Sequence, residues 1–122
     1  ASRLPLQGES FDALFAFHVT GHLLAAERSA LAREAARQLV PGGRLFFRDF
    51  SKQDMRAGQG KEVEEGTFQR REGILTHYFS ESEVKELFCD LRPISIGTHC
   101  WKLRIKGKDL VRSEVEAVFL KS

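Results

Sequence analysis

The chain has 122 residues, 42% of them hydrophobic and 30% charged, which suits one compact domain and leaves no room for two. Its 19 Lys and Arg against 17 Asp and Glu give a formal charge of +2, too little to announce a polyanion-binding surface, so any such contact must be local. The longest apolar runs, around residues 13–17 and 45–47, fall far short of the roughly 18 residues of a membrane span, and no charged-then-apolar leader opens the chain. A cytoplasmic protein with no membrane contact is expected. Cys89 and Cys100 are the only cysteines, too few for a disulfide framework or a zinc cage; their apolar neighbours predict reduced, largely buried thiols.

In chain order, residues 4–10 carry turn chemistry, and Phe11–Phe17 is a nearly continuous apolar run, the pattern of a strand buried on both faces of a parallel sheet. Over residues 27–40, Leu31, Ala35 and Leu39 recur at fourfold spacing among Arg28, Arg33, Glu34 and Arg37, predicting an amphipathic helix that Pro41-Gly42-Gly43 ends. Leu45-Phe46-Phe47 gives a second buried strand, closed by Arg48-Asp49. Strand, crossover helix and strand in this order make a right-handed parallel unit.

Residues 51–65 have no sustained period and are expected to form a mobile loop with at most a helical turn. Residues 67–71 and 74–79 flank Glu72-Gly73 as a hairpin. Ser80-Glu81-Ser82-Glu83 has the form of a capping box, with Phe79 placed to staple onto Val84. A helix with Val84, Leu87, Phe88 and Leu91 on one face should follow, and Pro93 should stop it. Residues 94–105 and 111–120 then read as two long antiparallel strands joined by Gly107-Lys108-Asp109, with a bulge near Gly97 where the apolar parity slips.

In open α/β sheets, ligands sit beyond the carboxyl ends of the strands, which singles out residues 17–22 and 48–54. His18 and His22 are four apart, as two metal-binding imidazoles on a helix would be. Gly21 and the preceding strand argue against that helix, so no metal is expected, and His18 is read as closing a pocket wall. Arg48-Asp49, at the ligand end of a buried strand, is read as a site component. No G-x-G-x-x-G, P-loop, G-x-S-x-G elbow or H-E-x-x-H helix occurs, so no chemistry by this chain's own side chains is indicated and no catalytic residue is assigned.

Leu4-Pro5-Leu6-Gln7-Gly8-Glu9-Ser10-Phe11-Asp12, and Leu39-Val40-Pro41-Gly42-Gly43 after the helix, resemble the second half of class I S-adenosylmethionine-dependent methyltransferases, entering the fourth and fifth strands of that fold. Residues 46–56, Phe68-Gln69-Arg70-Arg71-Glu72-Gly73, His77-Tyr78-Phe79-Ser80 and residues 111–121 are similar to segments of the tRNA 3-methylcytidine methyltransferase group. The resemblance implies an α/β fold: a partial Rossmann-like methyltransferase sheet, strands four to seven with the last two antiparallel and the final strand inserted, plus two main helices.

It also implies S-adenosylmethionine as cofactor, with Leu4, Phe17 and His18 beside it, and His22, Arg48, Asp49, Asp54 and Arg70 toward the substrate. The acceptor would be tRNA or another methyl acceptor, a nucleobase such as tRNA cytidine first. The alternatives are a small-molecule methyltransferase, or a non-catalytic half domain serving as partner subunit or RNA-binding module. The family's glycine-rich half would lie before Ala1, so residues 1–122 are expected to be the carboxyl-terminal part of the domain. Self-association through the exposed edge of the strand Phe11–Phe17 then follows.

Overall fold

Among the residues that the computed structural model describes, 9–70 and 72–122, there are seven strands and two α-helices. They are β1 (Phe11–Phe17), α1 (Ala25–Gln38), β2 (Leu39–Phe50), β3 (Lys61–Glu64), β4 (Thr67–Gln69), β5 (Leu75–His77), α2 (Glu81–Leu87), β6 (Arg92–Ile105) and β7 (Lys108–Leu120). The main sheet runs β1-β2-β7-β6, with β1 and β2 parallel and β7 inserted antiparallel between β2 and β6. That is the expected architecture, including the inserted last strand. The β4–β5 hairpin is also as expected, but β3 joins it to make a second antiparallel sheet.

The core lies on one face of the main sheet. Leu45 and Phe47 of β2 and Val115, Ala117 and Phe119 of β7 meet Ala32 and Ala36 of α1, together with Phe79, Val84 and Phe88. Alternation along β2 is clean: Leu45, Phe47 and Asp49 are buried, while Phe46, Arg48 and Phe50 are half-buried. β1 departs from the expectation of burial on both faces. Leu14 and Ala16 pack on the core, but Phe15 is 65% exposed, because nothing among the described residues covers the outer face of the sheet.

Several boundaries move for identifiable reasons. α1 starts at Ala25 and ends at Gln38, and β2 already begins at Leu39, so Pro41-Gly42-Gly43 lies in the first part of the strand instead of terminating the helix. The buried stripe of α1 is Arg28, Ala32 and Ala36, one position round from Leu31 and Ala35. Two alanines let the helix approach closely, and Arg28 is accepted because its guanidinium donates to the Leu23 carbonyl at 2.6 Å. α2 is short, ending five residues before Arg92, and Pro93 lies within β6. The bulge of β6 falls between Pro93 and Ser95 and not at Gly97, and the β6–β7 turn is Lys106-Gly107, both at positive φ.

The segment read as a mobile loop is pinned by long-range bonds that no local period can signal. Asp54, 4% exposed, accepts from Arg112 Nε at 2.8 Å and from the Ser113 N–H at 2.9 Å. Cys89 and Cys100 are exposed and not buried, since apolar sequence neighbours say nothing about which side of a strand or helix end a thiol takes.

The start of α2 joins the two sheets. Ser80 Oγ accepts from the Glu83 N–H at 3.2 Å, half of a capping box. The Glu83 carboxylate turns instead to His77 Nε2 at 2.5 Å, while His77 Nδ1 meets Thr67 Oγ1 at 2.6 Å. Phe79 and Val84 are both fully buried in the core beside this cap. Phe79→Ala is expected to cost about 3–5 kcal/mol through the cavity left behind, and Ser80→Ala about 1 kcal/mol through the lost cap. Denaturant unfolding of the two variants checks the order and the size.

Candidate functional site

The carboxyl ends of β1 and β2 open onto a cleft of about 210 Å³ lined by His18, His22, Asp49, Phe50, Arg56, Arg70, Thr76 and Tyr78. This is where an open α/β sheet places its ligands. The cleft begins with the backbone of His18, at φ 55°, a left-handed conformation uncommon outside glycine. It swings the imidazole across the strand end, putting Nε2 2.6 Å from Glu114 Oε2 and the ring 4.8 Å from that of Phe50.

Asp49 forms the floor. Its Oδ2 accepts from the Gly21 N–H at 2.8 Å and its Oδ1 from the Phe50 N–H at 2.9 Å. A Cβ at Gly21 would stand 2.8 Å from both carboxylate oxygens, so glycine is required there by close approach. Burial pushes the Asp49 carboxyl pKa above the usual range, against the pull of the two N–H donors and of His18 and His22. His22 Nδ1 donates to the Leu75 carbonyl at 2.8 Å, which leaves Nε2 of the neutral ring as the lone-pair nitrogen. Burial, then the Asp54 charge, pushes the Tyr78 phenol up despite Arg70, Arg56 and Arg112, so at neutral pH it is a hydroxyl donor. Arg70 Nε is buried with no hydrogen-bond partner among the described residues.

Of the residues singled out in the sequence, His18, His22, Asp49 and Arg70 meet here. Arg48 and Phe17 do not: successive strand residues face opposite sides, so Arg48 parts from Asp49, lies 4.8 Å over the Phe17 ring and pairs with Glu116 at 3.6 Å. Asp54 is an anchor of the segment after β2 and does not line the cleft. Leu4 lies outside the described residues. Sequence reasoning missed Phe50, Arg56, Thr76, Tyr78 and Glu114. The available signal was parity: Thr76 and Tyr78 share one side of the chain, while His77 takes the other.

The segment between β1 and α1 contains one glycine, Gly21, and the space it leaves is filled by Asp49. Among the described residues, this segment therefore forms no glycine-rich loop. Among them, no cluster of three or more His, Cys, Asp or Glu is placed to hold a metal ion, and no helix is long and apolar enough to cross a membrane.

A profile of the methyltransferase domain family matches residues 1–47. The chain superposes on a SAM-dependent methyltransferase from Methanosarcina mazei with a TM-score of 0.70 and 23% identity, covering 98% of this chain and 64% of that one. It also superposes on the 1,6-didemethyltoxoflavin-N1-methyltransferase of Burkholderia thailandensis, solved with S-adenosylhomocysteine bound, with a TM-score of 0.65 and 18% identity over 97% of this chain and 48% of that one. The chain has the class I methyltransferase fold.

Among curated proteins it is 26% identical over 90 residues to the tRNA N(3)-cytidine methyltransferase METTL2 of Gallus gallus, covering 71% of this chain and 24% of that protein. It is likewise 26% identical over 88 residues to O-methyltransferase 3 of Dictyostelium discoideum, covering 68% of this chain and 20% of that protein. The chain spans a quarter or less of the length of both.

Asp49→Ala strands two N–H groups at a buried site and is expected to cost about 1–3 kcal/mol, whereas Asp49→Asn keeps an acceptor and costs less. Because the native pKa of Asp49 is raised, its contribution to stability is greatest below the ordinary carboxylate range and is lost as pH rises through the native value. Asp49→Asn should remove that decline, as unfolding free energies measured as a function of pH upward from the ordinary carboxylate range will show.

Proposed function

We propose that residues 1–122 are the acceptor-side, carboxyl-terminal part of an S-adenosylmethionine-dependent methyltransferase domain whose acceptor is a nucleobase, tRNA cytidine foremost. The observation that carries this reading is the cleft at the ends of β1 and β2, which combines aromatic walls with two arginines within the methyltransferase fold. Its 210 Å³ is below the roughly 300–1,000 Å³ of a drug-sized site and suits a single ring system. Arg56 and Arg70 suit the phosphate that accompanies a base in a polynucleotide. The similarity to METTL2 supports the same acceptor.

When bound, S-adenosylmethionine supplies a methyl group already activated on its sulfonium. The task of this chain is to hold the acceptor and keep water away. Phe50 and Tyr78 flank the ring, the Tyr78 hydroxyl donates to a ring carbonyl, and His22 Nε2 accepts from an exocyclic amine. Cytosine N3 carries its own lone pair at neutral pH, so no general base is needed. A small-molecule acceptor is the second reading, favoured by the likeness to O-methyltransferase 3 and to the toxoflavin enzyme; for a hydroxyl acceptor, His22 Nε2 is the available base. A non-catalytic partner or RNA-binding module is the third.

Without a glycine-rich cradle, the 122-residue chain is expected to bind S-adenosylmethionine no more tightly than about 1 mM, roughly 4 kcal/mol of binding. Calorimetry showing micromolar affinity would overturn that placement. Given a strand, glycine loop and helix ahead of Ala1, the protein should transfer tritiated methyl groups to bulk tRNA. Arg70→Ala should then lower kcat/KM by about tenfold or more with cofactor affinity unchanged. Transfer to small acceptors but not to tRNA would establish the second reading, and restored cofactor binding without any transfer the third.

We further propose that the edge of β1 pairs with a strand of a second copy. Among the described residues β1 has β2 as its one neighbour, and Phe15, stacked on Phe46 at 5.0 Å, is 65% exposed beside the open edge. Light scattering should show dimers that Phe15→Lys dissociates; a strict monomer at high concentration would end this proposal.

A further inference from the structure

The β6–β7 hairpin outruns its sheet. β2 pairs with β7 no further than Glu114, and the segment after β2 follows β7 only to Val111, whose carbonyl accepts from the Met55 N–H at 2.8 Å, yet β6 and β7 continue to Ile105 and Lys108. At ~3.4 Å per residue the free overhang reaches about 10 Å. Lys106 and Gly107, at φ 51° and 77°, close it with a tight turn that suits the twist of the strands. The arm rises from the rim of the cleft: at its base Glu114 bonds His18, and the Arg112 guanidinium lies 4.7 Å over the Phe50 ring.

Its composition differs from that of the rest of the molecule. Lys102, Arg104, Lys106 and Lys108 take every second position, and Asp109 is the sole carboxylate between residues 100 and 113, so this arm is more positive than the net +2 of the whole chain. Arg104 pairs with Asp109 at 3.8 Å and Arg112 with Asp54 at 2.8 Å; Lys102, Lys106 and Lys108 enter no ion pair among the described residues. On the other side of β6, Trp101 is 38% exposed and stacks on His99, with ring centroids 5.5 Å apart and planes at 26°. Lys108, opposite Ile105, shares the Trp101 face, Lys102 lies on the other face and Lys106 at the tip. Free cations around the end of a ribbon with an exposed aromatic stack match how single-stranded nucleic acid is held, phosphates on the charges and bases on the rings.

We infer that this hairpin is a binding arm for single-stranded RNA, which it delivers to the cleft. The delivery rests on the nucleobase reading above; the binding does not. Lys102, Lys106 and Lys108 neutralise backbone phosphates without sequence preference, and Trp101 with His99 gives one base a platform. Charge complementarity and the aromatic stack favour a polynucleotide over a lipid surface as the occupant.

The test uses the 122-residue chain with a fluorescein-labelled 12-nucleotide uridine RNA and, separately, vesicles containing phosphatidylserine. Trp101 is the only tryptophan, so its emission reports on the arm alone. RNA should raise the anisotropy of the label and quench Trp101. Replacing Lys102, Lys106 and Lys108 together by Gln should weaken binding at low salt by about tenfold or more and flatten the plot of log K against log salt by about 2, at ~0.7 per phosphate contact on a single strand. Trp101→Ala should weaken binding by about tenfold through lost stacking while leaving that slope unchanged. Circular dichroism confirms that these exposed substitutions leave the fold intact. RNA binding that the triple variant retains in full, or an unquenched Trp101, would overturn the inference. So would a blue shift on vesicles without RNA binding, which would make the arm a membrane contact. RNA bound through the arm by a restored protein that methylates only small acceptors would defeat the nucleobase reading alone.

Discussion

The structure depends on the pairing of β2 with two strands of opposite sense. Parallel pairing with β1 brings two carboxyl ends side by side, and antiparallel pairing with β7 holds them there from Arg44 to Phe50. The alternation that buries Leu45 and Phe47 also buries the third inward residue, Asp49, although it is a carboxylate. A buried carboxylate is tolerable only when its oxygens are satisfied. The Gly21 and Phe50 N–H groups do that, and in doing so they fix the path of the chain from β1 to α1. The cleft is thus the polar continuation of the hydrophobic core at the point where the strands end.

Around this point the smaller sheet acts as the second wall. It is attached by hydrogen bonds, Phe79 N–H to the Phe50 carbonyl, Lys52 N–H to the Phe79 carbonyl, and the chain from Thr67 through His77 to Glu83. Burial opposes ionisation of Glu83, but the bond and charge of His77 prevail and hold its pKa below the usual range. Tyr78, between two residues that make these attachments, is carried to the edge of the cleft with Thr76. Glu64 extends the tie to α1, whose first N–H it accepts at 2.9 Å.

The open surfaces follow from the same geometry. α1 and α2 cover one face of the main sheet, and Phe15 and Phe17 on the other face remain exposed. The long hairpin is exposed because no other strand accompanies it past Ser113, and its register puts Lys102 and Arg104 on one face and Trp101, Leu103 and Ile105 with Lys108 and Arg112 on the other.

The sequence by itself determined the order of elements and the class of fold, because these depend on local chemistry: the apolar runs of β1 and β2, the cap at Ser80, the two long strands at the end. It also singled out His18, His22, Asp49 and Arg70, which the fold brings to one cleft, three of them from the rule that α/β sheets bind at strand ends and Arg70 from resemblance. Tertiary structure decided the rest. Parity along a strand separates Arg48 from Asp49, and only the register with β7 shows which of the two faces the cleft. Asp54 looked like a site residue and proved to be an anchor, since its partners, Arg112 and Ser113, stand nearly sixty residues away. Arg56 enters the cleft from a segment whose own pattern says nothing about direction, and parity groups Tyr78 with Thr76 without saying which side of the chain meets the cleft. Long-range contacts obey no local period, which is why the strands were legible in the sequence and most of the cleft was not.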